Sequence, residues 1–219
     1  MKKYYETELM DDFSIRDSRI DDALKELKII NNYLGGVSTT VSALKYFTRD
    51  KLISLKIIDV GSGSSDNLII AKNTYPNLQI ISVDKNISVL NYSKNSLQKI
   101  NSDAYRLPFK NECCDIVHIA LFLHHFNEDQ IEKLLNEFLR ICKKGIIIND
   151  LQRSLLALAG IKLLTVLFSK SILVKKDAPV SVKRSFTKSE IINFLRKSGI
   201  SNYIIKYKWA FRWMVVIKK

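Results

Sequence analysis

From residue 55 onward, short apolar runs alternate with stretches of helical periodicity. Runs such as KIIDV, IISV and GIIIN are continuous, as expected for strands that are buried on both faces. They predict strands near 55–60, 79–84, 98–102, 114–120 and 145–149 and helices near 65–74, 86–96 and 128–142. Strands that alternate with helices in this way form a parallel sheet with right-handed crossovers. The pattern therefore predicts a doubly wound α/β fold whose ligands bind at the carboxyl ends of the strands.

Helical spacing also precedes this region. A first helix should begin after Asp17 or Ser18 and end at Gly35, and a second should span about 38–50. The first helix has its apolar residues on one face: Ile20, Leu24, Leu27 and Leu34.

The last third has a different pattern. The apolar stretch 155–168 is interrupted by Gly160 and Lys162 and is too short to cross a bilayer, which predicts a buried or interfacial helix. Thr187 and Glu190 have the spacing of a capping box, and Gly199 should end the helix that it starts. Residues 201–219 then alternate as two final strands.

Residues 56–67, KIIDVGSGSSDN, join the first strand of the sheet to a helix through a glycine-containing loop. Gly61 and Gly63 lack a Cβ, so the backbone can turn sharply there and approach a ligand closely. The loop predicts a nucleotide cradle. A P-loop is excluded because no Gly-Lys-Ser/Thr triplet follows, and a dinucleotide fingerprint is disfavoured because Asp66 stands at its third glycine.

The loop resembles motif I of the class I S-adenosylmethionine-dependent methyltransferases, with Asp59, Gly61 and Gly63 matching and Ser65 replacing the third glycine. Serine in that position is expected to cap the following helix. Asp84 closes the second strand 23 residues after Gly61, where a carboxylate can accept both ribose hydroxyls.

Two later segments extend the resemblance. NSDAYRLPF is similar to the adenine-contacting motif, and CDIVHIALFLHHF is similar to the fourth strand of the ubiquinone and menaquinone methyltransferases. The resemblance implies a Rossmann-like sheet of seven mostly parallel strands with an antiparallel last strand, an N-terminal helical lid and S-adenosyl-L-methionine as cofactor. The implied cofactor residues are Asp59, Gly61, Ser62, Gly63, Asp84, Lys85, Asp103, Ala104 and Leu121.

Methyl transfer at a sulfonium carbon requires mainly a positioned acceptor, and a base helps when the acceptor loses a proton. His124 and His125 follow the fourth strand, where an imidazole could accept a phenolic proton near pH 7, whereas His118 lies inside the strand and suits the core. The residues expected to meet the acceptor are Tyr4, Tyr5, Asp150, Arg153 and Arg184.

The chain of 219 residues suits one domain over 1–219, with a lid over 1–50 and a catalytic core over 51–219. Cys113, Cys114 and Cys142 lack metal spacing, which argues against a zinc site or a disulfide framework, and no metal is expected. The first residues contain no apolar run of a secretion signal, so we expect a cytoplasmic protein.

The net charge of +13 resides in the last third, since residues 151–219 contain 15 basic and 2 acidic residues. An anionic substrate, an RNA, a membrane surface or mere compositional bias could each account for it. We expect methylation of a small lipophilic acceptor, by O-methylation of a phenolic, quinone or polyketide-type compound, with no specific nucleic acid partner. An RNA methyltransferase and a non-catalytic cofactor-binding scaffold remain the alternatives, and peripheral membrane contact stays open.

Overall fold

A computed structural model describes residues 1–11, 18–92 and 97–219 and contains a seven-stranded sheet in the order β3-β2-β1-β4-β5-β7-β6. Strands β1 to β5 pair in parallel, and β7 runs antiparallel to both of its neighbours. This arrangement confirms the predicted fold class. The strands are β1 (Leu55–Val60), β2 (Leu78–Asp84), β3 (Gln98–Asn101), β4 (Cys114–Ala120), β5 (Cys142–Leu151), β6 (Tyr203–Lys208) and β7 (Arg212–Lys218).

Helices cover both faces of the sheet, because the apolar strands have to be buried on each side. One core cluster packs β1, β4 and β5 against residues such as Phe138 and Phe194, and another packs the opposite face against Leu44 and Leu68. The helices are α1 (Ser18–Tyr33), α2 (Gly36–Leu44), α3 (Asp66–Ala71), α4 (Ile87–Tyr92), α5 (Glu128–Ile141), α6 (Leu155–Phe168), α7 (Ile172–Arg184) and α8 (Lys188–Lys197).

Several predicted bounds were wrong. Helix α2 ends at Leu44 instead of residue 50. The Thr48 hydroxyl donates to the Asp50 carbonyl oxygen and accepts the Asp50 N–H, and the Asp50 carboxylate accepts the Leu52 N–H, which holds these residues in a turn. Helix α3 likewise ends at Ala71 instead of residue 74, and β5 is longer than predicted. Asp17 and the end of the helix predicted over 86–96 lie outside the described residues.

Helix α7 was not predicted. It contains Pro179, which has no N–H and which ordinarily ends a helix, and its lysines obscure the apolar periodicity. Helix α8, in contrast, begins with the predicted capping box, in which the Thr187 side chain accepts the Glu190 N–H.

Helix α6 spans the predicted residues 155–168 but is not buried. Only Ala157 and Thr165 are buried in it, while Leu155 is 70% exposed and Phe168 is 77% exposed. The buried alternative of the prediction was therefore wrong, and the interfacial alternative stays a prediction, because the sequence showed that the helix is apolar but not what covers it. Among the described residues, no helix has both the length and the apolar character that crossing a bilayer requires.

Candidate active site

The loop after β1 needs its two glycines for conformation and for space. Gly61 has φ +61° and Gly63 has φ +52°, a region that other residues rarely adopt. A Cβ on Gly61 would lie 2.1 Å from the Phe122 ring, so the loop and the chain after β4 approach closely there. The two glycines therefore give the loop the shape that the sequence predicted for a nucleotide cradle.

Ser65 departs from the expected role. It precedes α3 with φ 56° and its side chain makes no capping hydrogen bond. Its hydroxyl instead lies 2.7 Å from the Ser82 hydroxyl. Ser65 therefore joins the loop to β2, and the prediction that it caps the helix was wrong.

Asp84 stands at the end of β2 and orders the loop. Its carboxylate accepts the Gly63 N–H at 2.9 Å and the Asn86 N–H at 2.9 Å. Burial raises the pKa of Asp84 from its ordinary value, although these two N–H groups oppose the shift. Because a carboxylate has about four acceptor positions, Asp84 can still accept ribose hydroxyls.

Lys85 and Asp103 form an ion pair of 2.9 Å at the same edge. The Asp103 carboxylate also accepts the Tyr105 N–H, and this hydrogen bond together with Lys85 lowers the pKa of Asp103. Ala104 follows Asp103 on the cavity wall, opposite Leu121 from the end of β4.

Asp59 and His118 form a buried chain of hydrogen bonds. The His118 Nδ1 lies 2.6 Å from the Asp59 carboxylate, and its Nε2 lies 3.0 Å from the Thr40 hydroxyl. His118 is thus a satisfied core residue, as its position inside β4 suggested. Asp59 ties β1 to β4 and α2 below the loop.

A continuous cavity of about 680 Å³ connects the glycine loop with the lid and with α6. Its predicted cofactor residues are Gly61, Gly63, Asp84, Lys85, Asp103, Ala104 and Leu121. Asp59 and Ser62 instead border a smaller neighbouring cavity of about 160 Å³. The cradle and the space for an acceptor therefore share one chamber.

His124 and His125 lie on a 3-10 turn, Leu123–His125, at the wall of this chamber. The Nδ1 of His124 lies 2.7 Å from Asp150, and the Nδ1 of His125 lies 3.0 Å from Asp11. Burial alone would lower the pKa of His124, but the carboxylates of Asp150 and Glu8 raise it to about 10.

Residues 4–11 precede α1 and are called the lid segment below. They contribute two carboxylates that were not among the predicted site residues, Glu8 and Asp11. Both line the cavity, and Glu8 Oε1 lies 3.4 Å from His124 Nε2. The Asp177 carboxylate fixes the segment by accepting the N–H groups of Leu9 and Met10. Two acids three residues apart in a predicted lid are a signal that could have identified them.

Arg184 lines the cavity, as expected for a residue near the acceptor. Its guanidinium donates to the His124 and His125 carbonyl oxygens and to Asp11, so it holds the histidine turn against the lid.

Four of the residues predicted to meet the acceptor have other contacts and do not line the cavity. The Tyr4 ring stacks against Lys183, and Tyr5 is exposed to solvent. Asp150 is buried against His124, and Arg153 binds Glu190 and the Ser185 carbonyl. The structure therefore does not bring these four residues to the chamber, and their contacts favour structural roles.

Residues 58–148 match a family model described as a methyltransferase domain. The plantazolicin methyltransferase, solved with S-adenosylhomocysteine, is 16% identical and has a TM-score of 0.64, with 92% of each chain covered. A possible histamine N-methyltransferase from Thermotoga maritima is 17% identical with a TM-score of 0.63, covering 92% of this chain and 97% of its own.

Magnesium protoporphyrin IX methyltransferase from Synechocystis, with S-adenosylhomocysteine bound, is 13% identical with a TM-score of 0.57, covering 85% of this chain and 83% of its own. At these identities the solved structures show a shared fold. A search of curated proteins found no match.

The cradle fits the cofactor that this family uses. A loop in which two glycines leave room for a ligand and a carboxylate at the end of β2 suit a nucleoside with free ribose hydroxyls. The family match, the fold and the cradle agree. Residues 58–148 are therefore a methyltransferase domain, and its cofactor is S-adenosylmethionine.

Proposed function

We propose that this enzyme methylates an ionisable hydroxyl group on a small, mostly apolar acceptor, such as a phenol, a quinol or a polyketide. The observation that supports the proposal is the single chamber, in which the cofactor cradle opens onto apolar walls. Small-molecule sites commonly combine apolar walls with a few convergent polar groups. The apolar walls are formed by Leu24, Leu27, Ile30, Phe126, Ile161, Leu164 and Phe211.

S-adenosylmethionine supplies an activated methyl group, so the protein mainly has to hold the acceptor in line with it. Helices α1 and α6 and the lid segment line the acceptor side of the chamber and provide that positioning. The acceptor's hydroxyl would point toward a charged cluster on the chamber wall, which consists of Glu8, Asp11, the two histidines and Arg184.

His125 suits the role of base better than His124. Asp11 holds its Nδ1 at 3.0 Å, which leaves Nε2 on the chamber side to take the hydroxyl proton as the O–H bond breaks. His124 is fully buried between two carboxylates, and its pKa of about 10 keeps the imidazole protonated near neutral pH.

RNA methylation is the second candidate, supported by the 15 basic residues of the last third. The chamber favours a small acceptor instead, because the lid segment adds Glu8 and Asp11 to its wall. Carboxylates at this position would repel a phosphate backbone.

The test is methyl transfer from radiolabelled S-adenosylmethionine to an alkylphenol, to its methyl ether and to RNA. We expect transfer to the phenol only, with a 10²- to 10⁴-fold loss in His125→Ala, the usual range for general acid–base help. His125→Ala should retain its affinity for S-adenosylhomocysteine. Ile192→Ala, a change at an exposed position of α8, is the matched control. Methylation of RNA with no methylated phenol would contradict the proposal, and full activity of His125→Ala would exclude the base.

A further inference from the structure

We propose that Glu8, His124 and His125 bind a divalent transition-metal ion. Each residue offers one ligand atom, and these atoms lie within 4.8 Å of one another. The Glu8 Oε1 is 3.4 Å from His124 Nε2 and 4.0 Å from His125 Nε2. Bonds of about 2 Å place neighbouring metal ligands a little over 3 Å apart, so a small closure of the cluster suffices.

Both histidines have the orientation of metal ligands. A ligating imidazole ordinarily donates its other ring N–H to a carboxylate or carbonyl, which fixes its tautomer. Here Asp150 engages the Nδ1 of His124, and Asp11 engages the Nδ1 of His125. Each ring therefore presents Nε2 to Glu8 with the remaining carboxylates behind it.

Two buried atoms of the cluster, Glu8 Oε1 and His124 Nε2, make no well-formed hydrogen bond with a described residue and lie 3.4 Å from each other. The two side chains are only 9% and 2% exposed. Buried polar atoms are rarely left unpaired, because the loss of their hydration is costly. A cation between them would satisfy both atoms at once.

The charge around the cluster also favours a cation. Three carboxylates, those of Glu8, Asp11 and Asp150, contact the two histidines. Arg184 Nη1 lies 3.9 Å from Glu8 and 3.1 Å from Asp11, and the charges of Arg212 and Lys3 also act on Asp150. Asp177 adds a further carboxylate behind the lid. Two imidazoles with one carboxylate suit zinc, iron or nickel better than magnesium or calcium.

Glu8, His124 and His125 line the chamber, so a bound ion would keep a side open to the acceptor. In that state His125 serves as a ligand instead of a base. Binding of the metal ion by these three residues does not depend on the identity of the acceptor.

The test measures metal content and titrates the metal-free enzyme with Zn²⁺ and Co²⁺, without cofactor or acceptor. We expect one ion per chain, with a Co²⁺ absorption spectrum of nitrogen and oxygen ligation. Glu8→Gln and His125→Ala should weaken Zn²⁺ binding by a factor of 10 or more, within the range seen when metal-site groups are lost. Glu6→Gln, an exposed acid on the same segment, is the matched control and should bind normally.

Retained S-adenosylhomocysteine binding shows that each variant is folded. Equal Zn²⁺ uptake by the native enzyme and by both site variants would indicate adventitious surface binding and overturn the proposal. So would the absence of any binding by the folded native enzyme. Either result leaves the proposed methylation intact, because methyl transfer is measured separately.

The outer face of α6 is apolar and exposed to solvent. It is formed by Leu155, Leu156, Ala159, Leu163, Val166 and Leu167. These residues recur at helical spacing and, with Ala159 aside, are 62–74% exposed. Phe168 and Ile172 extend the apolar surface to the start of α7. Contiguous apolar surface of this kind usually marks a contact with a protein or a membrane.

The charges around the outer face of α6 identify the partner, and we propose that it is the surface of an anionic lipid bilayer. Residues 153–189 contain eight basic residues and one acidic residue. Arg153, Arg184 and the acid, Asp177, are buried, which leaves six basic residues and no acid of this range at the surface. Basic residues beside an apolar helical face bind anionic headgroups while the apolar side chains enter the interface.

The two faces of α6 have different neighbours. Ala157, Ile161 and Leu164 on the inner face line the chamber, whereas the outer face meets solvent. Docking through the outer face would bring the chamber wall to the bilayer, where a lipophilic acceptor is concentrated. This consequence rests on the proposed function, but docking itself does not.

The test is sedimentation with phosphatidylcholine vesicles that contain either no anionic lipid or about 30% phosphatidylglycerol. We expect binding to the anionic vesicles that weakens with salt and falls at least tenfold in the double variant Leu163→Glu with Phe168→Glu. Ile192→Glu, at an exposed apolar position on α8, is the control.

Ultracentrifugation without lipid distinguishes a membrane face from a subunit interface. We expect the native enzyme and the double variant to sediment alike. A native dimer that the double variant dissociates, or a native enzyme that ignores anionic vesicles, would overturn the proposal.

Discussion

Asp84 combines two tasks in one side chain. Its carboxylate holds the Gly63 N–H, which shapes the glycine loop, and it stands where the ribose hydroxyls are expected. Loss of such charge-assisted hydrogen bonds costs about 2 kcal/mol or more. Asp84 therefore affects cofactor binding both directly and through the loop.

We predict that Asp84→Asn weakens S-adenosylhomocysteine binding and removes an acid-dependent step. Because burial raises the pKa of Asp84 above 3.8, its carboxylate is protonated at less acidic pH than usual. Native affinity should fall as the pH drops through that raised pKa, since a protonated carboxyl loses its charge-assisted hydrogen bonds. Calorimetry across pH checks this, and an equally steep fall in Asp84→Asn would assign the step to another group.

Gly61 and Gly160 provide a matched pair of glycine substitutions. Gly61→Ala should lower the free energy of unfolding by more than about 1 kcal/mol, since φ is +61° and the Phe122 ring occupies the Cβ position. Gly160→Ala should raise it by about 0.5–1 kcal/mol, since no atom lies within 4 Å and the site is helical. Urea unfolding measures both changes, and effects of the same sign would contradict this account.

At the scale of elements, α6 and the lid segment define the acceptor side of the chamber. The lid segment is held by Asp177 on α7, and α7 packs against α6 and α1. The cofactor side, in contrast, belongs to the strand ends of β1, β2 and β4. The two sides thus come from different parts of the chain, which separates cofactor binding from acceptor selection.

At the scale of the whole molecule, the net charge of +13 bears on whether the protein binds nucleic acid. A basic surface binds nucleic acid through phosphates, with an affinity that ignores sequence and falls steeply with salt. We predict this behaviour for RNA. Fluorescence anisotropy with two unrelated hairpins at about 0.05 and 0.2 M salt checks it. Nanomolar affinity for one hairpin at the higher salt would promote the RNA methyltransferase instead.

The sequence by itself determined the sheet, the glycine loop and the position of Asp84. These features can be predicted locally, because the burial of a strand and a positive φ depend on residues that are adjacent in the chain. The capping box of α8 was likewise found from residues three positions apart. Local reasoning failed for α7, where Pro179 conflicts with the helical pattern, and for the ends of α2 and α3.

Only the tertiary structure decided which distant residues meet. Glu8 and His124 are more than a hundred residues apart in the chain, and their contact depends on α7 holding the lid segment. The exposure of α6 was also undecided, because a helix that is apolar all round does not reveal which face is covered. Side-chain clusters and exposed faces are set by the packing of whole elements, which local patterns do not encode.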